Sequence, residues 1–499
     1  MRRFAFTILA LLALVGSCAC KPKERELPDD PDPVFQRYCQ DLTFESTVLR
    51  ETVRYSVYLP ANYTKDKDKR YSVVYMLHGY GDNNNSWNGK YLHANERINY
   101  LESTGMSEMI YVFPYGKNSY YCDTYDGKYK YMKMFVTELI PQIDKSLRTI
   151  PDREHRSITG YSMGGFGAMV LPEKHPELFL CSAPLSMSFR TDAQYMAESQ
   201  NGWNNQWGCI FGGVGEVGVG RLTPHYKDHC PFYQFTLENK ETLSKVHWFL
   251  TCGDDEEQLL IANDSLHVLL RDNGYEHEFR VGDGAHTSTY WMNALTEVLP
   301  MFDYYMNKGG NKWEGINREM PDIPSADFAE DGTLPSASFT EGGTGVFVAY
   351  DGLDEDLVKD VMAYIFNKNA NAIILPCNLA QRSLAEWMSF YEAKYPVSGR
   401  QVLAIGSAGE SVWACQDKFS RLYLIDARLG EKVVADAGRA YYFAATDNGV
   451  NYHDMAELYK SCKKLDKEGK FEYRVIKGYD DLRSNVLKSI QTIKPNFIY

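Results

Sequence analysis

Two hydrophobic periods alternate along this chain, and the switches between them mark its elements. Residues 43–59 alternate polar with apolar side chains (Phe44 and Val48, then Val53, Tyr55 and Val57), the period of two expected of half-buried antiparallel strands. Pro60-Ala61-Asn62-Tyr63 ends that pattern, and the charged run at 65–70 reads as a solvated turn. The largely apolar runs at 71–77 and 109–113 have strand length and no polar face, which fits strands buried on both sides. Residues 132–147 change to helical spacing, with Met134, Phe135, Leu139, Ile140, Ile143 and Leu147 on one face. Further strands are expected at 158–161, 178–183, 246–251 and 276–281, with helices at 261–272 and 287–306. Strands alternating with helices predict a mostly parallel sheet covered by helices on both faces. Residues 188–243 break the rhythm with Gly, Asn and aromatic residues, including Trp203, Trp207 and Phe211. A long irregular insert of this kind is expected to serve as a lid or substrate cap.

Candidate chemistry sits where strands end. Gly160-Tyr161-Ser162-Met163-Gly164-Gly165 closes one strand and opens a helix. A Gly-x-Ser-x-Gly turn this tight strains the serine backbone and needs glycines beside it, because a Cβ there would strike the neighbouring strand or helix. It lifts the Ser162 hydroxyl above the sheet, near the positive end of a helix. Alone, so short a pattern also fits a purely structural glycine turn. Partners decide between the two. Ester hydrolysis by serine needs a base, an acid that orients it, and donors for the oxyanion. His286, in Gly284-Ala285-His286, follows a strand and precedes a helix, which makes it the base candidate. Cys252-Gly253-Asp254-Asp255-Glu256-Glu257 ends the preceding strand and supplies the acid, so the order nucleophile, acid, histidine is kept. Backbone N–H groups at Tyr80, in His78-Gly79-Tyr80, and at Met163 are the oxyanion-hole candidates, whereas His78 reads as a structural loop residue.

These residues resemble the esterase family of α/β-hydrolases that includes feruloyl and acetyl-xylan esterases, S-formylglutathione hydrolases and mycolyltransferases. The resemblance runs from about Leu42 to Met306. It rests on Arg54-Tyr55-Ser56-Val57-Tyr58-Leu59-Pro60, on Leu77-His78-Gly79-Tyr80-Gly81 with Trp87, and on the Ser162, Cys-Gly and Gly-x-His motifs. It implies an α/β-hydrolase fold and a serine esterase that uses no metal or cofactor, with Ser162 as nucleophile and His286 as base. The implied substrates are feruloyl or acetyl esters of plant polysaccharide, cleaved through an acyl-enzyme. The chain departs from the family at the acid. The family places Asp three residues after the glycine, where this sequence has Glu256, and Asp255 and Glu257 stay open as alternatives. Acyl transfer through the same triad, or a catalytically dead surface glycan binder, are the competing expectations.

Composition adds location and a second half. With 499 residues, two or three domains are expected, and a net charge of −13 argues against nucleic acid and anionic membrane surfaces as partners. Arg2-Arg3 and the apolar run at 4–15 form a leader too short for a permanent span, and Val15-Gly16-Ser17-Cys18 resembles a bacterial lipobox. The expected organisation is a signal peptide at 1–17, lipid on Cys18, a Pro-rich tether at 18–37 and a catalytic domain at 38–308. Membrane contact is then only through the lipid, in the bacterial cell envelope. None of the eleven cysteines forms a CxxC pair, and Cys209 with Cys230 is the best candidate disulfide. A linker at 309–336 should lead to a smaller, degenerate hydrolase-like domain at 337–499. In that comparison Ser407 falls at the nucleophile, Val450 opposite Glu256 and Asp480 opposite His286, so the copy lacks both acid and base.

Overall fold

The computed structural model describes residues 37–308, 320–339, 342–366, 371–465 and 471–493. The expected leader, Cys18 and nearly all of the tether lie outside these residues. Within them the strands are β1 (Tyr38–Ser46), β2 (Glu51–Tyr58), β3 (Val73–Leu77), β4 (Ile110–Pro114), β5 (Arg156–Tyr161), β6 (Cys181–Leu185), β7 (His247–Gly253) and β8 (His277–Gly282). The C-terminal half adds β9 (Leu334–Pro335), β10 (Gly343–Tyr350), β11 (Ala372–Asn378), β12 (Val397–Ile405), β13 (Arg421–Ile425), β14 (Ala440–Thr446) and β15 (Phe471–Ile476).

All fifteen join one mixed sheet in the order β1-β2-β4-β3-β5-β6-β7-β8-β15-β14-β13-β12-β10-β11-β9. Strands β3 to β8 run parallel, with the antiparallel pair β1–β2 on the outer edge, as the period-two stretch predicted. Strands β10 to β15 are again parallel, and β9 is antiparallel at the far edge. The halves meet where β8 pairs antiparallel with β15. The C-terminal strands therefore extend the first sheet and do not stand apart as a separate unit. The stretch expected to be linker contains β9, placed by its pairing with β11 at the opposite end of the molecule from β1.

Apolar packing crosses the seam as well. On one face a single cluster runs from Val57 and Phe135 through Leu266 to Phe347 and Tyr473. On the other face two clusters lie apart, one beneath the helix Ser288–Asn307 and one beneath the helix Leu482–Gln491.

The two halves share bonding detail as well as strand order. Ser162 has φ 58°, donates its N–H to Leu185 O and accepts Ser188 N–H, both at 3.0 Å. Gly406 has φ 59°, donates to Ile425 O and accepts from Arg428 N, again at 3.0 Å. Ser186 (φ 46°) donates to Thr251 O at 2.7 Å, and Asp426 (φ 43°) to Ala444 O at 2.9 Å. Leu250 pairs with Phe279 in the first half, and Phe443 with Tyr473 in the second. On this bonding register Gly406 lines up with Ser162 and Gly449 with Glu256, each one residue before the Ser407 and Val450 expected from the sequence. Ser407 has ordinary helical angles, φ −61° and ψ −24°. Gly478 resembles Gly284 in donating its N–H to an aspartate Oδ1.

Candidate active site

Strand β5 delivers Ser162 at the tip of the turn before the helix Met163–Lys174, with φ 58° and ψ −119°. A non-glycine residue held there stores strain on the order of 1–3 kcal/mol. The glycines are needed for space. A Cβ on Gly160 would sit 2.5 Å from the Gly164 carbonyl carbon and 2.7 Å from Leu77 Cβ, and one on Gly164 would sit 2.6 Å from the Leu77 carbonyl carbon. No side chain fits either gap.

His286 lies between β8 and the helix Ser288–Asn307, and it reaches both partners. Its Nε2 is 2.9 Å from Ser162 Oγ and its Nδ1 is 2.7 Å from Glu256 Oε2. The Glu256 side chain is closed to solvent. Its other oxygen, Oε1, accepts the Gly253 N–H at 2.8 Å and the Ser186 hydroxyl, and Ser186 in turn accepts the Trp291 indole N–H at 3.0 Å. A carboxylate can only accept, so Nδ1 carries the ring proton and Nε2 offers its lone pair to the Ser162 hydroxyl. Trp291 also stacks on Tyr161 at 4.3 Å and meets the His286 ring edge-on at 5.0 Å.

Of the acids left open by the sequence, Glu256 is the one in contact with His286. Asp255 is exposed, and Asp254 is buried in an ion pair with Arg474. The side chain of Glu257 lies outside the described residues. Burial pushes the Asp254 carboxyl above its usual range, with Arg474 opposing the shift.

The oxyanion candidates come from two separate elements. Met163 opens the helix after Ser162, and Tyr80 sits in the loop after β3, its ring half exposed. The His78 ring ties that loop down: Nε2 accepts the Gly116 N–H at 2.8 Å, so Nδ1 carries a proton and donates it to Gly79 O at 2.8 Å. Burial pushes its pKa down to about 4, which keeps the ring neutral. It acts on the loop, as the sequence reading held.

Two environments border the site. Beside His286 lies an open groove of about 530 Å³, lined by Asp82, Asn85, Lys90, Tyr91, Ser288 and Trp291 among others. On the other side stands the 188–243 insert. Its Trp203, Trp207 and Phe211, expected in a lid, are core residues: Trp207 packs on Tyr120 at 4.6 Å and on Tyr195 at 5.0 Å. The insert forms an aromatic wall, with Tyr120 OH bonded to Ser188 Oγ at 3.3 Å and to Gln206 Nε2 at 2.5 Å. The expected Cys209–Cys230 disulfide is absent, because Cys209 is exposed, Cys230 is buried against Tyr226, and both are free. Sequence reasoning missed Ser186 and Trp291, whose contacts depend on a positive φ at Ser186 that no motif announces. Among the described residues the nearest approach to a cation site is Asp254, Asp255 and Asp283, where Arg474 already pairs with two of the three.

A parallel sheet with helices on both faces, and a serine raised on a strand-to-helix turn beside a histidine, define an α/β-hydrolase. The chain belongs to the esterase family described as "Putative esterase", whose model matches residues 46–302, just over half of its length. It is 28% identical over 268 residues to an endo-1,4-beta-xylanase/feruloyl esterase of Xylanibacter ruminicola, covering 52% of this chain and 30% of that protein. It is 26% identical over 269 residues to an acetyl esterase of Caldicellulosiruptor saccharolyticus, covering 52% of this chain and 95% of that one. Among solved structures a ferulic acid esterase is similar at 31% identity and TM-score 0.46, over 54% of this chain and all of the other.

Proposed function

We propose that the chain is a serine carboxylic-ester hydrolase whose nucleophile, base and acid are Ser162, His286 and Glu256. The observation that carries this is the unbroken line of hydrogen bonds from Ser162 Oγ through His286 to a solvent-free Glu256 carboxylate. Ser162 Oγ attacks the ester carbonyl while His286 Nε2 takes its proton, and buried Glu256 stabilises the imidazolium that forms. Backbone N–H groups of Met163 and Tyr80 receive the tetrahedral oxyanion. Collapse expels the alcohol with the proton from Nε2 and leaves an acyl group on Ser162. Water, activated by the same nitrogen, then releases the acid and restores the serine.

The alcohol leaves on the His286 side, where the groove offers carboxylate, amide, hydroxyl and ammonium groups beside Tyr91 and Trp291. Polar groups next to the exposed Tyr91 ring suit a sugar, and the feruloyl and acetyl esterases named above support acylated plant polysaccharide as the substrate. The C-terminal half is read as an inactive copy, with Gly406, Gly449 and Asp480 at the three catalytic positions. Lipid on Cys18 would hold the enzyme at the bacterial envelope. The test is turnover of a panel of 4-nitrophenyl acetate, methyl ferulate and acylated xylo-oligosaccharides by the wild type and by Ser162→Ala. The reading requires release of free acid that Ser162→Ala abolishes. Transfer of the acyl group to an added sugar, in place of acid release, would make the chain an acyltransferase with the same triad.

A further inference from the structure

Two arginines cross the seam in opposite directions with the same bonding. Arg280 of β8 gives its Nη1 to Asp447 at 2.8 Å and to Phe279 O at 3.0 Å, and pairs with Glu278 through Nη2. Arg474 of β15 gives its Nη1 to Asp254 and, at 2.9 Å, to Tyr473 O, and pairs with Glu472 through Nη2 at 2.7 Å. The acceptors match too: Asp254 Oδ1 takes the Gly284 N–H at 3.1 Å, and Asp447 Oδ1 takes the Gly478 N–H at 2.7 Å.

What the two arginines hold is different. Asp447 begins a loop that carries no catalytic group. Asp254 begins the loop that carries Glu256, and the N–H it accepts belongs to the loop that carries His286. Arg474 reaches that second loop directly, with Nη2 3.1 Å from Asp283, three residues before the histidine. One buried guanidinium from the C-terminal half thus touches both loops of the first half's site. Tyr459 OH adds a bond to Asp254 O at 3.1 Å, and Tyr473 N one to Asp254 Oδ2 at 3.3 Å. The carboxylate oxygens of Asp254, Asp255 and Asp283 lie within 4.8 Å of one another, and Arg474 bridges two of them. Without it these like charges repel across the gap between the acid loop and the histidine loop.

We propose that Arg474 is a positioning residue for hydrolysis, and that the C-terminal half acts in catalysis by holding the Glu256 and His286 loops in register. This rests on the triad reading given above. A shift of the base by a fraction of the hydrogen-bond distance spoils proton transfer from Ser162 and leaves the groove, and so substrate binding, nearly as before.

The pseudo-symmetric arginine is the control. Arg474→Met, Arg474→Lys and Arg280→Met are compared with wild type in the full-length chain. The readouts are kcat and KM for 4-nitrophenyl acetate, the rate of Ser162 phosphonylation by a fluorophosphonate probe, and Tm. Both methionine variants should lower Tm, since each strands a buried carboxylate. Only Arg474→Met should lower kcat and the phosphonylation rate, on the order of 10- to 100-fold with KM little changed. Lysine at 474 should recover part of the rate. Should Arg474→Met fail to fold, Asp283→Asn removes the half-exposed arm of the clamp and should still lower kcat several-fold. The inference is overturned if folded Arg474→Met, or Asp283→Asn in its stead, keeps the wild-type kcat, or if Arg280→Met loses as much rate as Arg474→Met. Absence of Ser162-dependent turnover in the wild type would instead remove the proposed function, and the phosphonylation rates would still read the clamp.

Discussion

Glu256→Gln is the sharpest perturbation of this site, because the contacts of the carboxylate leave an amide no good orientation. Oε1 accepts from both Gly253 N and the Ser186 hydroxyl, and Oε2 faces His286 Nδ1. If the glutamine oxygen takes the Oε1 place, its NH2 points at Nδ1 and can only donate. The imidazole must then carry its proton on Nε2, aimed at Ser162, and has no lone pair with which to take the serine proton. If the amide turns over, NH2 faces the Gly253 N–H, so two donors meet in a closed pocket at a cost of about 1–3 kcal/mol. The first arrangement is the cheaper one. Presenting the wrong tautomer to a serine lowers kcat by about 10⁴, which is about 5.5 kcal/mol of barrier. The fold itself should tolerate the change, since a buried charge is removed and the shape is kept. The assay is kcat and KM on 4-nitrophenyl acetate beside Asp255→Asn, with Tm for both. Asp255 is exposed and should cost little. Retention of more than about a tenth of wild-type kcat by Glu256→Gln would refute the orientation argument, and a severe Asp255→Asn would move the acid by one residue.

Ser407→Ala should leave turnover unchanged, and so should Gly406→Ser, because on the proposed correspondence Asp480 stands where a base is required; Ser407-dependent hydrolysis in a Ser162→Ala background would break the correspondence. Asp264, buried beneath the Tyr452 and Tyr473 hydroxyls at the seam, has its pKa pushed up by burial to about 6. With the folded value above the unfolded one, its contribution is fully present below about pH 4 and is lost as pH rises through about 6, a cost near 3 kcal/mol at neutral pH. Asp264→Asn should therefore raise Tm more at pH 8 than at pH 4, and an equal change at both would contradict this. Cys18→Ser should move the protein from the membrane fraction to the soluble fraction with kcat on small esters unchanged; continued recovery with membranes would remove the lipid reading.

The parts legible in the sequence are those fixed by local geometry. Gly160 and Gly164 are dictated by the close approach of the turn to itself and to Leu77 of β3, and the Gly-x-Ser-x-Gly pattern carries that demand in its own residues, so it can be read without a structure. His286 and the acid loop follow from where strands end, whereas Glu256 comes from the family resemblance, with Asp255 and Glu257 left open beside it. Relations made across the sheet were not legible. Ser186 joins the acid through a bend at the end of β6, and Arg474 reaches its loops from the far half of the chain. The proposed repeat is read from apolar strands, and the bonding register of the two halves differs from that reading at two points. Asp254 to Arg280 is one residue shorter than Asp447 to Arg474, and an apolar pattern cannot say on which side of a helix the extra residue falls. At the turn, a serine drew the comparison to Ser407, whereas the backbone angle belongs to Gly406. Trp203, Trp207 and Phe211 were assigned to a cap because polar and glycine residues surround them, and only packing shows them as core.

The seam between β8 and β15 lies within one polypeptide, and that changes how it responds to dilution. Two separate subunits joined edge to edge would part as protein concentration fell, and a site steadied by the neighbour would lose rate with them. Here each half meets its partner at an effective concentration set by the connecting chain. Specific activity should hold constant to arbitrarily dilute enzyme. A protein at low copy number can then rely on a strand pairing across its two halves without ever having to find a mate.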